Sequence, residues 1–539
     1  MVQDESNNPG SGTDSPEVVG TVGPWGPPES VEPQVFDHST ESIDSLEWAR
    51  DGLAEAFPAY SAKTRFTTPQ RAGFVLMALV VVAGFAFFPI GTGTVLLGLS
   101  MATYLGVVWF RLHLVMITAR QRTSRITIPD DEARAFPESE LPTVTVLVPA
   151  YHEAEVIGHV VTGLANLEYP PHLLQVMLLL EEDDIDTIDA VGSLELPDHI
   201  KAVIVPAAAP RTKPKALNYG LLTSTGDIVS IYDAEDVPDR LQLRRMAIAF
   251  TRCGPEVACV QAELAYFNAD ENLLTRWFSI EYRTWFSQFL PGLKVTDAPI
   301  PLGGTSNHFR RDILVPLGGW DSYNVTEDAD LGIRMYRQGY RVELLDSITL
   351  EEANTDVINW VKQRSRWYKG YLQTWLVHLR HPRQMYRELG LRQFLRFNIF
   401  VGGTPLLAIL NPVFWFLLAV WFLLEPAFLR QIMPAPLYYT GLFLWLVGNC
   451  LIFYMNCITA YEYQQRSMFK AALLMPLYWV LMSLAAIKAL WQLLRDPAYW
   501  EKTQHGLSRV RTGAGDGQPT TDVSTPVLIA TGVVEAGSE

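Results

Sequence analysis

The chain has 539 residues, 49% of them hydrophobic, with 58 acidic against 42 basic side chains and a formal net charge of -16. That balance excludes a nucleic-acid partner, which requires a basic face, and the length allows several domains. The four cysteines, Cys253, Cys259, Cys450 and Cys457, form no CxxC pair and have no histidine at ligand spacing, so they read as reduced and structural.

In chain order, a polar leader rich in Ser, Pro, Gly and acids comes first, with no apolar run near Met1 and therefore no sign of a cleaved signal peptide. Two apolar runs follow, Gly73 to Ile90 and Thr94 to Ile117, each near the length of about 20 residues that spans a bilayer core. Lys63, Arg65 and Arg71 precede the pair and Arg120, Arg122 and Arg125 follow it, so both ends of this hairpin are expected in the cytoplasm. Three more apolar segments come late, Phe397 to Leu424, Leu437 to Thr459 and Met468 to Leu494. Asn411-Pro412 interrupts the first of them. Five crossings would leave the basic tail residues Lys502, Arg509 and Arg511 outside, against the charge rule, so six crossings, or five with one segment lying at the interface, are expected.

Between the two apolar regions strands alternate with helices. "TVTVLVPA" (Thr143 to Ala150), "LQVMLLLEE" (Leu174 to Glu182), "KAVIVPA" and "DIVSIYD" read as buried strands, and the segments that join them have helical spacing. This is the pattern of an α/β fold with a mostly parallel sheet, in which ligands bind beyond the carboxyl ends of the strands. Acidic clusters fall at those ends: Glu153, then Glu181 to Asp184, then Asp233, Glu235 and Asp236 in "IYDAEDVP". Carboxylates this close repel unless a cation sits among them, although a solvated turn with an acidic helix start has the same composition. Arg211, Lys213 and Lys215 stand ahead of a helix start, an arrangement suited to phosphate or simply to a solvated basic loop. Clustered carboxylates for Mg2+ or Mn2+ beside cations for phosphate suggest a metal-bridged nucleotide diphosphate.

Further on stand Thr326-Glu327-Asp328 and, in "VKQRSRWYKGYLQTW", Gln363, Arg366 and Trp367. With Asp233 and Glu235 at DxD positions, these motifs resemble, in order, those of the processive membrane glycosyltransferases of family 2, the cellulose synthase and hyaluronan synthase group. The resemblance runs from about Pro142 to Thr374. The phrases "PLGGTSNHFR" and "WEKTQHGL" are most similar to bacterial exopolysaccharide β-glucan synthases. Two departures stand out: the metal motif reads Asp-Ala-Glu, and His152 precedes Glu153 where many relatives have asparagine.

The resemblance implies a GT-A-like nucleotide-sugar-binding domain inserted between transmembrane helices. It implies inverting transfer from a nucleotide-sugar, UDP-glucose by similarity, to a growing β-linked polysaccharide that crosses the membrane through the protein's own spans. Asp328 would be the base, with Glu327 beside it for orientation. Asp328 is equally suited to a helix first turn. Glu153, Glu182, Asp183, Lys213, Lys215, Asp233, Gln363 and Arg366 would bind the donor; Thr305, Ser306 and Trp367 the acceptor; Asp233 and Glu235 the Mg2+ or Mn2+. Gln363, Arg366 and Trp367 share one helix face, and a tryptophan near a membrane also serves as an interfacial anchor. Arg364 and Lys369 are expected to face lipid headgroups, and His308 to be structural.

The expected layout is a disordered or cytosolic segment over 1–70, a transmembrane hairpin over 71–119, a cytosolic transferase domain over 120–375, an interfacial amphipathic segment over 376–396, a membrane region over 397–495 and a mostly disordered cytosolic tail over 496–539. The implied location is the inner membrane, multi-pass, and the implied partners are donor, polysaccharide acceptor, lipid bilayer and an accessory secretion subunit. Two other readings stand beside this one: transfer of a single sugar to a lipid acceptor, as in ceramide glucosyltransferases, and an inactive transferase-like scaffold.

Overall fold

The computed structural model describes residues 42–121, 124–424, 426–504 and 506–508. The expectations for 1–41, Arg122, Arg509, Arg511 and the rest of 509–539 lie outside the described residues.

Helix α1 (Ser42–Ala56) corrects the expectation of disorder through residue 70. Ala49 and Leu53 are buried, and the Ala49 carbonyl accepts hydrogen bonds from Asn218 Nδ2 (3.0 Å) and Ser322 Oγ (2.8 Å). Helix α1 is thereby tied to the central domain. The apolar hairpin is two helices, α2 (Thr68–Phe87) and α3 (Pro89–Arg120). A reciprocal pair between Thr67 and Gln70 starts α2, satisfying backbone donors that a helix start leaves open.

Among the described residues five helices are long and apolar enough to cross a membrane: Thr68–Phe87, Pro89–Arg120, Pro382–Leu424, Ala435–Glu462 and Met475–Arg495. Asn411-Pro412 does not divide the third of these, because Pro412 is accommodated inside a continuous helix, Gly403–Leu424. The expected sixth crossing is therefore absent among the described residues. The break comes earlier, at Gly390, whose φ of 70° is open to glycine at little cost and turns the amphipathic stretch before it away from the apolar helix after it.

The central domain is an eight-stranded sheet. In chain order the strands are β1 (Val144–Ala150), β2 (Leu174–Glu181), β3 (Ile200–Val205), β4 (Ile228–Ile231), β5 (Val237–Pro238), β6 (Val257–Tyr266), β7 (Asn307–Arg310) and β8 (Arg341–Glu351). Their spatial order is β3-β2-β1-β4-β7-β6-β8-β5. β1, β2, β3 and β4 run parallel, as do β6 and β8, and β7 and β5 are antiparallel insertions. The mostly parallel α/β fold expected from the sequence is present.

β1 shows why the apolar strands are continuous rather than alternating. Val144, Val146 and Val148 pack on one face with Ile157, Leu164 and Met246. Leu147 packs on the other with Leu179, Leu217 and Leu290. Helices cover both faces, so both sets of side chains must be apolar.

Candidate active site

The carboxyl ends of β1, β2, β4 and β8 open on a cavity of about 390 Å³. Glu153, Asp233, Glu235, Glu327, Asp328 and Glu351 line it from the sheet side, and Gln363, Arg366 and Trp367 from helix α4 (Val357–His378). Asp356 starts α4, accepting a hydrogen bond from Asn359 N (2.8 Å). Thr326 precedes helix α5 (Glu327–Arg337) without a side-chain capping bond, and the acids of the helix's first turn face the partial positive charge of the helix start.

Lys213 sits among the carboxylates. Its ammonium pairs with Asp233 and donates to the Gly304 carbonyl (2.7 Å). A Cβ on Gly304 would lie 3.5 Å from Asp328 Oδ2 and 3.9 Å from Lys213 Nζ, which puts this glycine between the two groups. The acids repel one another in a buried setting. Burial, reinforced by Asp328, pushes Glu327 up to about 8; burial pushes Asp328 up to about 6; burial with Asp233 pushes Asp236 up to about 8. Each is an affinity for positive charge that the protein leaves partly unmet.

Not every candidate faces the cavity. The Lys215 ammonium is fully buried and satisfied by Glu181 (2.7 Å) and the carbonyls of Pro206 (3.2 Å) and Ala208 (3.3 Å), so it is a structural clamp rather than a donor-binding group. Glu182 accepts from Ala207 N (3.0 Å), and Asp183 pairs with Arg211. Neither acid lines the cavity, whereas Arg211 does. Thr305 lines it and donates to Asp236. Ser306, whose φ is 56°, does not line the cavity and donates to Thr349 Oγ1 (2.6 Å). His308 is buried against Ser230 Oγ (2.8 Å), and burial pushes it down to about 3.

Arg364 and Lys369 do not meet lipid headgroups. Arg364 pairs with Glu281 and lies 4.5 Å from the Trp367 ring centre, 5.3 Å from Phe278 and 5.4 Å from Trp360. Lys369 is fully buried and donates to the Tyr499 carbonyl. A helix of this length packed against its neighbours has no lipid-facing side left for them.

Residues 496–504 and 506–508, expected to be mostly disordered, pack against the site. The Arg366 guanidinium lies 4.4 Å from the Trp500 ring centre, Lys502 pairs with Glu153, and the backbone N–H groups of Gly506 and Ser508 donate to Glu352 (2.6 Å each). Trp500, Lys502 and Thr503 line the cavity. A Trp, a Lys and a Thr within four residues of an otherwise polar tail were the signal for this.

The cavity continues between the apolar helices, past Arg111, Thr404, Asn411 and Asn456. A second cavity of about 110 Å³ shares Tyr104 and Asn411 with it.

For the implied metal, Asp233 and Glu235 offer carboxylate oxygens, the hard donors that Mg2+ and Mn2+ favour. No cluster of three potential ligands occurs among the described residues. The donor set fits an ion that takes its remaining ligands from a diphosphate and water.

A mostly parallel α/β domain with an acid-lined, cation-flanked cavity at its strand ends is the setting in which the comparisons with known proteins fall. Residues 142–370 match the family model described as "Glycosyltransferase like family 2". The probable glycosyltransferase YdaM of Bacillus subtilis is 34% identical over 236 residues, 43% of this chain and 56% of that protein. A beta-monoglucosyldiacylglycerol synthase of Trichormus variabilis is 30% identical over 244 residues, 44% of this chain and 51% of that protein. The chain thus spans about half the length of these relatives. The cellulose synthase 1 catalytic subunit of Komagataeibacter xylinus is 26% identical over 255 residues, 44% of this chain and 32% of that protein. Among solved structures, the mannosyltransferase PcManGT of Pyrobaculum calidifontis in complex with GDP-Man and Mn2+ has 18% identity and a TM-score of 0.42, covering 74% of this chain and 99% of that one.

Proposed function

We propose that the protein is an inverting, metal-dependent hexosyltransferase of the cytoplasmic membrane that extends a β-linked polysaccharide from a nucleotide-sugar, with glucose as the sugar. The observation that carries this reading is the continuity of one cavity from the acid-lined strand ends to the space between the apolar helices. A growing chain that leaves the site in that direction enters the membrane region without crossing solvent.

In this reaction Asp328 takes the proton of the acceptor hydroxyl as that oxygen attacks the anomeric carbon. The carboxylate sits at a helix start, and the α5 backbone fixes its direction. Asp233 and Glu235 would hold the metal, which supplies charge neutralisation for the departing diphosphate. Arg366, Lys213, Arg211 and Lys502 present cations to the same anion from three parts of the chain. Trp367 offers an aromatic wall for the acceptor sugar, braced by Tyr282, whose ring stacks on it at 5.8 Å and 22°. The accessory secretion subunit belongs to this reading as a partner at the outer end of the path.

A second reading, transfer of one sugar to a lipid, is supported by the relatedness to a beta-monoglucosyldiacylglycerol synthase and by the second cavity, which is lined mainly by apolar and aromatic side chains. Incorporation of radiolabel by the purified protein in nanodiscs, with Mg2+ or Mn2+ and with UDP-glucose, UDP-N-acetylglucosamine or GDP-mannose offered separately, tests both. High-molecular-weight product supports the polymerase; label confined to a small lipid product replaces it with the second reading. No transfer from any of the donors would favour the inactive scaffold.

A further inference from the structure

The last residue of β8 is a carboxylate that the reaction above does not use. Glu351 is only 9% exposed, and what remains exposed lines the catalytic cavity. Among the described residues its carboxyl has no hydrogen-bond or ion-pair partner. Glu352 beside it points to the opposite side, as strand alternation requires, and there it receives the backbone N–H groups of Gly506 and Ser508. A buried carboxyl with no partner costs free energy that a bound hydroxyl would recover.

Its neighbours indicate which part of a substrate it meets. On one side β5 pairs with β8 through Val237 and Leu350, which brings Asp236 alongside, and Asp236 accepts from Asp233 N (2.7 Å). On the other side Glu351 is the register partner of Tyr266 on β6. The Tyr266 ring stacks on Tyr282 (4.5 Å, 29°), which in turn stacks on Trp367. Glu351 therefore lies between the metal-binding strand end and the aromatic wall. Of the cations offered to the diphosphate, Arg211 and Lys502 pair with acids that follow β2 and β1, with β4, β7 and β6 between β1 and β8, while Lys213 is held by Asp233 at the end of β4. The space next to Glu351 is the space between diphosphate and acceptor, where the transferred hexose must sit.

We propose that Glu351 is a recognition residue for the transferred sugar, hydrogen-bonding a hydroxyl of the donor hexose and contributing to the choice among hexoses. This rests on the reading of the cavity as a nucleotide-sugar site. A hydroxyl is the matching partner because it both donates and accepts, so it satisfies the carboxyl in either protonation state.

The test uses Glu351→Gln and Glu351→Ala in the full chain in nanodiscs, with the donor that the wild type turns over. Donor KM, the inhibition constant of the matching free nucleoside diphosphate and the Mn2+ concentration for half-activation are measured together. The expected result is a donor KM raised about tenfold or more in Glu351→Ala and less in Glu351→Gln, with the other two constants unchanged, and a narrowed preference between UDP-glucose and UDP-galactose. An unchanged donor KM overturns the proposal. So does a parallel loss of diphosphate affinity and metal activation, which would make Glu351 a metal ligand. Glu351→Gln keeps the shape of the side chain and carries the test if the alanine variant does not fold. If the wild type transfers none of the sugars, the parent reading fails on its own, and calorimetry decides on Glu351: the glutamine variant must weaken UDP-glucose binding while leaving UDP binding intact.

Discussion

Lys502 pairs with Glu153, so the segment after the last apolar helix is fastened to the loop that follows the first strand of the sheet. The same segment places Trp500 on Arg366, and the two contacts hold it over the donor side of the cavity. Lys502→Met removes a cation from that side. A hydrogen bond to a charged group is worth about 1.5–3 kcal/mol, so kcat/KM for the donor should fall about 10- to 100-fold, chiefly through KM. Steady-state kinetics with varied donor check this, and an unchanged donor KM would show that the segment does not act on the donor.

Asp328 must be ionised to accept a proton. Burial raises it to about 6 in the metal-free protein. The rate should therefore be lost as pH falls through that value, about tenfold per unit well below it. A divalent cation nearby favours the carboxylate, so raising Mn2+ should move the acid limb of kcat/KM to lower pH. Lys213→Ala removes a charge that acts in the same direction and should move the limb to higher pH. Asp328→Asn should cost about 10²–10⁴ in kcat, with donor binding retained; pH profiles of kcat/KM at two metal concentrations and single-point turnover of the variant read these effects.

Arg364 holds the aromatic wall in place. Its guanidinium fills a cage made by Trp367, Phe278 and Trp360 and pairs with Glu281, which also accepts from Tyr478 Oη (2.7 Å). Arg364→Met leaves Glu281 without its cation, and the loss of one partner from a buried pair costs about 3–5 kcal/mol. A fall of several degrees in Tm, with a larger effect on acceptor KM than on donor KM, is expected from scanning fluorimetry and kinetics. Arg364→Lys keeps the charge but not the planar stack and should fall between.

The strand ends and the gathering of Asp233, Glu235, Asp328, Gln363, Arg366 and Trp367 around one cavity were legible because each depends on short-range pattern: buried strands are continuous apolar runs, and a helix shows its faces through spacing. Lys215 illustrates the limit. In sequence it is as good a phosphate ligand as Lys213, yet a helix sends positions two apart to opposite sides, so Lys213 reaches Asp233 while Lys215 is consumed by Glu181. Lys215→Met should accordingly lower Tm and leave donor KM unchanged. Arg364, the 496–508 segment and Glu351 were missed for a related reason. Their positions are set by contacts with chain far away in sequence, Glu281 for the first and Glu153 for the second.

Glu263 gives the domain a pH-dependent brace beside the apolar hairpin. Its carboxylate, 3% exposed, is shared between Arg125, just past α3, and Arg283 (2.8 Å). Burial acts to raise its pKa, but the two guanidinium groups outweigh that and hold it below the usual carboxylate value. A group whose folded pKa is depressed contributes stability above its unfolded value, near 4.5, and loses it as pH falls through the lower folded value. Glu263→Gln removes the charge at every pH and strands two cations, so it should lower Tm at pH 7 by an amount corresponding to about 3 kcal/mol. The difference between variant and wild type should shrink as pH is taken below 4.5, where the wild-type carboxylate is progressively protonated. Scanning fluorimetry of both proteins from pH 7 down through the folded value decides the matter, and a difference that stays constant across that whole range would show that the brace is not electrostatic.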